Sequence, residues 1–232
     1  MKTIDYRFRL KSGEEKVFSV SLDEATLDFQ SGRTGTPPAW TELSFCQCRN
    51  CPLDPAAHPH CPIALNLVDL IEFFKDSISH DEADVEVITT ERSYHRKTTL
   101  QKGISALMGI FMVTSGCPVM NKLRPMVDSH LPFASAEETT FRLISMYLVA
   151  QYFRQKHGLS SDQSLSKLVV ILDEIQKVDV DFCRRLKSIH IRDASLNALV
   201  ILNTFGESAH FAILENDLER IEKIFLDHYG ES

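Results

Sequence analysis

The chain predicts an α+β fold: an N-terminal β-hairpin or small antiparallel sheet packed on a mainly helical body. Three observations predict it. Apolar and polar residues alternate with period two near the N-terminus. From Pro62 onward the apolar spacing becomes helical, with one β-branched interruption. The joint between the two patterns is a Gly-, Pro- and Cys-rich stretch with the periodicity of neither.

In "IDYRFRL", Ile4, Tyr6, Phe8 and Leu10 alternate with Asp5, Arg7 and Arg9, the period of a half-buried strand. "KSGEE" supplies a turn, and Phe18, Val20 and Leu22 alternate with Ser19 and Ser21 to complete a hairpin. A further short strand is expected over Thr26–Gln30. "SGRTGTPP" is a loop by its Gly and Pro content, leading to Trp40 and the cysteine segment. "IALNLVDLIEFFKDSI" spaces Leu67, Leu70, Ile71 and Phe74 as one face of a helix. "ADVEVITTERSY" reads as a strand with Val85, Val87 and Thr89 on one side, and "RSYHRKTTLQK" as a solvated strand face or turn. "TTLQKGISALMGIFMVTSG" is a helix with Gly116 at C′.

"SAEETTFRLISMYLVAQYFRQKHG" carries the clearest helix, with a Ser135/Glu138 capping box and Gly158 at its end. Its composition predicts burial on most sides. Helices over about 163–177, 180–190 and 217–228 follow, the last capped by Asn216 with Glu219 and striped by Leu218, Ile221 and Phe225; "DASLNALVILNTF" is helical too. Residues 1–45 form the N-terminal β region. Residues 46–232 form the Cys-rich loop and helical body, the whole reading as one continuous domain.

Composition excludes several classes. With 232 residues, 44% apolar and 25% charged, the chain can build a core without covalent staples. A formal charge of −7 argues against nucleic acid and anionic membrane as partners. "MKTIDYRFRL" lacks the apolar region of a secretory signal. The longest apolar run, "ISALMGIFMV", has ten residues, against about 20 for a membrane span. A cytoplasmic protein is expected, in which thiols stay reduced and a cysteine cluster points to metal or catalysis before disulfides.

"FCQCRNCPLDPAAHPHCP" concentrates four of the six cysteines. Cys48-Arg49-Asn50-Cys51 is a C-x-x-C pair, whose turn aims two sulfurs at one point. Cys61 follows across a proline-stiffened loop. Cys51, Cys61 and Cys117 each precede a proline, which fixes φ and removes an amide donor where the chain must turn. Cys48, Cys51, Cys61 and Cys117 are therefore candidate metal ligands, three local and one distant. Zinc is the first expectation and an iron–sulfur cluster the alternative. The second C-x-x-C pair of the usual zinc ribbon is missing. Against this stands the plain reading of buried free thiols, with a redox-active vicinal disulfide a lesser alternative. Cys46 is a spare or a substitute ligand. Cys183 reads as core. His58 and His60 could replace one sulfur, but loop histidines are more often simply exposed.

"SGCPVMNKLRPMVDSHLPFASAEETTFR" gathers Cys117, Arg124, Asp128, His130, Glu137, Glu138 and Arg142. A thiol enzyme would use Cys117 as nucleophile, His130 as base and Asp128 to orient it. The bland reading is stronger: His130 bonds a loop carbonyl and Glu138 caps a helix. A buried Arg142 would need a carboxylate such as Glu138 or a ligand anion. No G-x-x-x-x-G-K-[ST], G-x-G-x-x-G, H-E-x-x-H or G-x-S-x-G is present, so common nucleotide-binding and hydrolase mechanisms lack support. No catalytic residue is assigned. The expected role is a non-enzymatic one, interaction or sensing, with a protein or small-molecule partner the sequence does not identify.

"WTELSFCQCRNCPL", "SGCPVMNKLRPM" and "HLPFASAEETTFR" together resemble an uncharacterised bacterial family, a domain of unknown function. The resemblance runs over most of the chain. It implies a bacterial cytosolic origin and carries over no catalytic residue.

Overall fold

Side chains of β1 (Lys2–Leu10) take turns between core and surface: Ile4, Tyr6 and Phe8 are buried and the residues between them are not. The structure is a computed structural model describing residues 1–32 and 34–230. Strand β2 (Glu15–Leu22) returns antiparallel through a turn in which Gly13 holds φ +88°, and buries Phe18, Val20 and Leu22 on the same face. Strands β3 (Glu82–Ile88) and β4 (Ser93–Thr99) form a second hairpin, giving the sheet order β2-β1-β3-β4, antiparallel throughout. Ala83, Val85 and Val87 of β3 continue the buried face. β4 is an edge strand, and its exposed His95, Arg96 and Lys97 suit an edge that must not pair with another chain.

The helical layers cover that face. Helix α1 is Pro62–Phe74, and α2 is Leu100–Val113. At Gly103 of α2 an added Cβ would lie 2.8 Å from Phe8 Cε1 and 2.9 Å from Val85 Cγ2. The helix thus rests directly on β1 and β3 because that position has no side chain. Beyond α2, the segment 120–127 makes tight helical turns, and α3 (Ala136–Lys156), α4 (Ser166–Lys187) and α5 (Asp193–Leu214) stack behind it. Short α6 (Glu219–Lys223) follows. One core runs from Ile4 to Leu199, and a smaller one joins Leu143 and Tyr147 of α3 to Leu168 and Leu172 of α4 and Ala209 of α5. Because β3 pairs with β1, the sheet draws strands from both sides of residue 45.

The α+β prediction stands, and six details change. Thr26–Gln30 is not a strand: Leu27 takes φ +58° and only Phe29 bridges back to Leu22. The run 83–94 is two strands, separated by a turn in which the Thr89 amide donates to the Arg92 carbonyl at 2.9 Å. The predicted helices 163–177 and 180–190 are one helix, α4, whose middle buries Val178, Asp179, Asp181 and Phe182. The capping box of α3 is present, with Gly158 in the left-handed conformation just past its end. Its burial is not as predicted, since Val149, Tyr152 and Phe153 are exposed, although α3 packs on α5 and segment 120–127. At the C-terminus Asn216 takes φ +54° and Leu218 is the residue preceding α6. Gly116 does hold φ +88°, but α2 has already ended at Val113.

Candidate metal centre

Each thiol is placed by a different device. The C-x-x-C turn closes with the Cys51 amide on the Cys48 carbonyl at 3.0 Å. Its two middle residues dock it onto α4. Arg49 gives its backbone amide to Asp181 Oδ2 at 2.7 Å and its guanidinium to Asp181 Oδ1 at 2.7 Å. Asn50 Nδ2 donates to the Glu174 carbonyl at 2.9 Å and to Glu174 Oε2 at 2.8 Å. Cys61 immediately precedes α1, with Pro62 at the first helical position. Its amide is held by the Thr41 carbonyl at 2.8 Å. Cys117 opens the turn that leads from α2 into segment 120–127, and its carbonyl accepts from the Asn121 amide at 2.9 Å.

The sequences Cys61-Pro-Ile-Ala and Cys117-Pro-Val-Met are used alike. The amides of Ile63 and Ala64 act on the Cys61 sulfur, and those of Val119 and Met120 on the Cys117 sulfur, in both cases favouring thiolate. At Cys61 this approach falls short of a full side-chain cap bond. Burial opposes it: Cys61 and Cys117 are each 7% exposed, and both thiols are pushed above the ordinary cysteine range, mainly by desolvation. Cys48 is pushed up to about 12, by burial first and then by the charges of Cys61, Asp181, Cys117 and Cys51.

These effects establish neighbourhood. Cys48 feels Cys61, Cys117 and Cys51; Cys61 feels Cys51; Cys117 feels Cys61 and Cys51. All six pairings of the four sulfurs are therefore within electrostatic reach, although the residues come from three separate segments. All six cysteines are free thiols. In this conformation, among the described residues, no group of three or more Cys, His, Asp or Glu is arranged to hold a metal ion.

The buried Arg185 of α4 organises the same region, and sequence reasoning missed it. It is 1% exposed, and its guanidinium donates to the carbonyls of Trp40, Glu42, Leu43 and Cys46 at 2.5, 2.7, 3.3 and 2.8 Å. All four acceptors are neutral, and Arg185 Nε is buried without a partner. Its charge favours the thiolate of Cys61. A buried cation served only by carbonyls gains from any anion placed nearby. A thiolate centre is such an anion.

Other candidates lie elsewhere. Cys46 directs its sulfur at the Asp181 carbonyl, 3.9 Å away. Cys183 is half-buried on α4 against the core. His58 is exposed, and His60 Nδ1 pairs with Thr41 Oγ1 at 2.9 Å. His130 is hydrogen-bonded through Nε2 to the buried Tyr6 hydroxyl at 2.6 Å, and burial lowers its pKa to about 3. Arg124 pairs with Asp28, Asp128 with Lys2, and Glu137 with Arg220. Glu138 Oε2 accepts from the Ser135 amide at 2.7 Å, and Arg142 donates not to Glu138 but to the Met126 carbonyl at 2.8 Å.

A comparison with protein families matches residues 4–226 to Domain of unknown function (DUF6901). The chain belongs to that family. Neither the curated proteins nor the solved structures compared contain a match. This DUF6901 domain has, among its described residues, no helix long and apolar enough to cross a membrane.

Proposed function

We propose that Cys48, Cys51, Cys61 and Cys117 hold one structural zinc ion in a cytoplasmic protein that acts by binding a partner rather than by catalysis. What carries the reading is the mutual proximity of four thiols delivered by three segments. The buried cation of Arg185, served by neutral carbonyls and with its Nε unpartnered, supports it, because four thiolates on a divalent ion leave a net negative charge. Bound zinc would tie the Cys loop to α1 and to the end of α2, so that binding energy becomes folding energy. Closing the site requires deprotonation of the thiols and movement of the cysteine side chains toward one point.

An iron–sulfur cluster is the second reading, favoured by the amides directed at the Cys61 and Cys117 sulfurs, the kind of contact that sets a cluster's potential. A thiol enzyme built on Cys117 and His130 finds no support. The histidine is held by Tyr6, and the thiol is raised rather than lowered.

Metal quantitation on anaerobically purified protein, with its visible spectrum, tests the proposal. A colourless protein with one equivalent of zinc is expected. A brown protein containing iron and sulfide selects the second reading, and a metal-free protein that takes up no zinc overturns both.

A further inference from the structure

A cavity of about 800 Å³ lies between α2, α3, α4, α5 and the segment 120–135. That is within the range of small-molecule sites, about 300–1,000 Å³. Its walls are mainly apolar, with Met112, Met126, Leu143, Leu202 and Phe205 among them. Two buried polar atoms on its lining residues have no partner: Arg142 Nε and Asp179 Oδ1. Asp179 is 5% exposed, and burial pushes its carboxyl up to about 8, so the group is mostly neutral at pH 7. The charged lining is otherwise Arg96, Lys102 and Arg142 against Glu138, whose carboxylate is already committed to the α3 cap. The cavity is thus positive in a chain whose net charge is −7.

Two glycines keep it open. Gly109 of α2 and Gly206 of α5 both line it, and a Cβ added at Gly206 would meet nothing within 4 Å. Glycine in a helix interior is destabilising relative to alanine, and at Gly206 no close neighbour requires it.

We propose that this cavity binds an amphipathic organic acid, with its carboxylate taken by Arg142 and its extended apolar body lying along the walls. The neutral Asp179 carboxyl offers a second polar contact, suited to a hydroxyl or carbonyl on that body. The polar groups assigned to the ligand are not those of the thiol centre: neither Arg142 nor Asp179 is among the groups that act on its sulfurs, although Met120 lines the cavity and its amide faces Cys117.

Dodecanoate and dodecanol are suitable probes, titrated calorimetrically into the full chain. Dodecanoate is expected to bind one per protein, at least about tenfold more tightly than the alcohol, the strength of one buried charge-assisted contact. Arg142→Gln should erase that preference while leaving dodecanol binding in place. Gly206→Leu places a side chain at a lining position where an added Cβ meets nothing within 4 Å, and should abolish binding of both probes with the melting temperature kept or raised. Undiminished binding by Gly206→Leu overturns the location. Equal affinity for acid and alcohol, or an acid preference that survives Arg142→Gln, overturns the assigned chemistry. No binding of either probe to the wild-type chain overturns the proposal as a whole.

Discussion

Asp181 of α4 grips Arg49 twice, taking its backbone amide at 2.7 Å on one oxygen and its guanidinium at 2.7 Å on the other. The carboxylate is fully buried and also pairs with Arg184, while both arginines are more than half exposed. Its hydrogen bonds, first to Arg49, hold it below the usual carboxylate range. The Cys48–Cys51 turn is therefore docked by an ion pair whose acid is inside and whose bases are outside.

Asp181→Ala should release that turn. A loss of about 2–4 kcal/mol is expected, since contacts to a buried charge are worth more than neutral hydrogen bonds. Because the folded carboxyl titrates below the unfolded one, its contribution is present above about pH 4 and fades as the pH falls further. Denaturant unfolding of wild type and variant at pH 7 and pH 3 measures the effect, and the gap between them should narrow at pH 3.

Replacing Arg185 attacks the loop from its other end. Arg185→Met removes the donor that serves four backbone carbonyls, and about 3–5 kcal/mol should be lost. Arg185→Lys should rescue little, because an ammonium cannot reproduce the planar fork. Thermal melts of both variants decide this; a full rescue by lysine would show that charge alone matters.

Cys51→Ser should lose the bound metal and melt several degrees below wild type, whereas Cys183→Ser should keep both metal and stability. Uptake should strengthen as pH rises from 6 to 8, because the thiols of Cys48, Cys61 and Cys117 titrate above the ordinary range and must shed their protons to bind. Zinc competition against a chelator at several pH values checks the sign. Retention of a full equivalent by Cys51→Ser would falsify the ligand set.

Asp179 carries the opposite pH signature to Asp181. Its pKa is raised in the folded protein to about 8, so the folded state holds a proton that the unfolded state has lost between about pH 4 and 8. Its contribution is intact below pH 4 and is lost as pH climbs through that window. Asp179→Asn should flatten this decline and stabilise the protein near pH 8 by on the order of 1–3 kcal/mol, read from urea midpoints across the range.

Gly103→Ala should destabilise by about 1–3 kcal/mol, since the new methyl meets Phe8 and Val85 inside ordinary contact distance. Gly206→Ala, with nothing in its way, should be neutral or stabilising. Paired melting curves separate the two glycines.

Much of this was legible along the chain. Period-two alternation through Ile4, Tyr6 and Phe8, and the Ser135/Glu138 cap, are local signals, and local contacts decide them. The failures arise where tertiary packing overrides pattern. α4 was divided in two because Asp179 and Asp181 interrupt its apolar stripe, yet both are buried in the folded helix. The hairpin turn at Thr89–Arg92 lacks glycine and proline, so nothing marked it. Cys48, Cys51, Cys61 and Cys117 are candidates by spacing and, for three of them, by the proline that follows. Arg185 and Asp181 did not, because on a helix surface "DFCRRL" reads as solvated charge. The one hint was the apolar company of Phe182 and Leu186.

Cys117 is translated well before Glu174, Asp181 and Arg185, the side chains that later secure the 40–51 loop. During synthesis these sulfurs emerge before the side chains that clamp the loop. On the zinc reading proposed above, loading would follow the emergence of α4, and a truncation ending before residue 174 should yield a polypeptide prone to oxidative cross-linking rather than a smaller working domain.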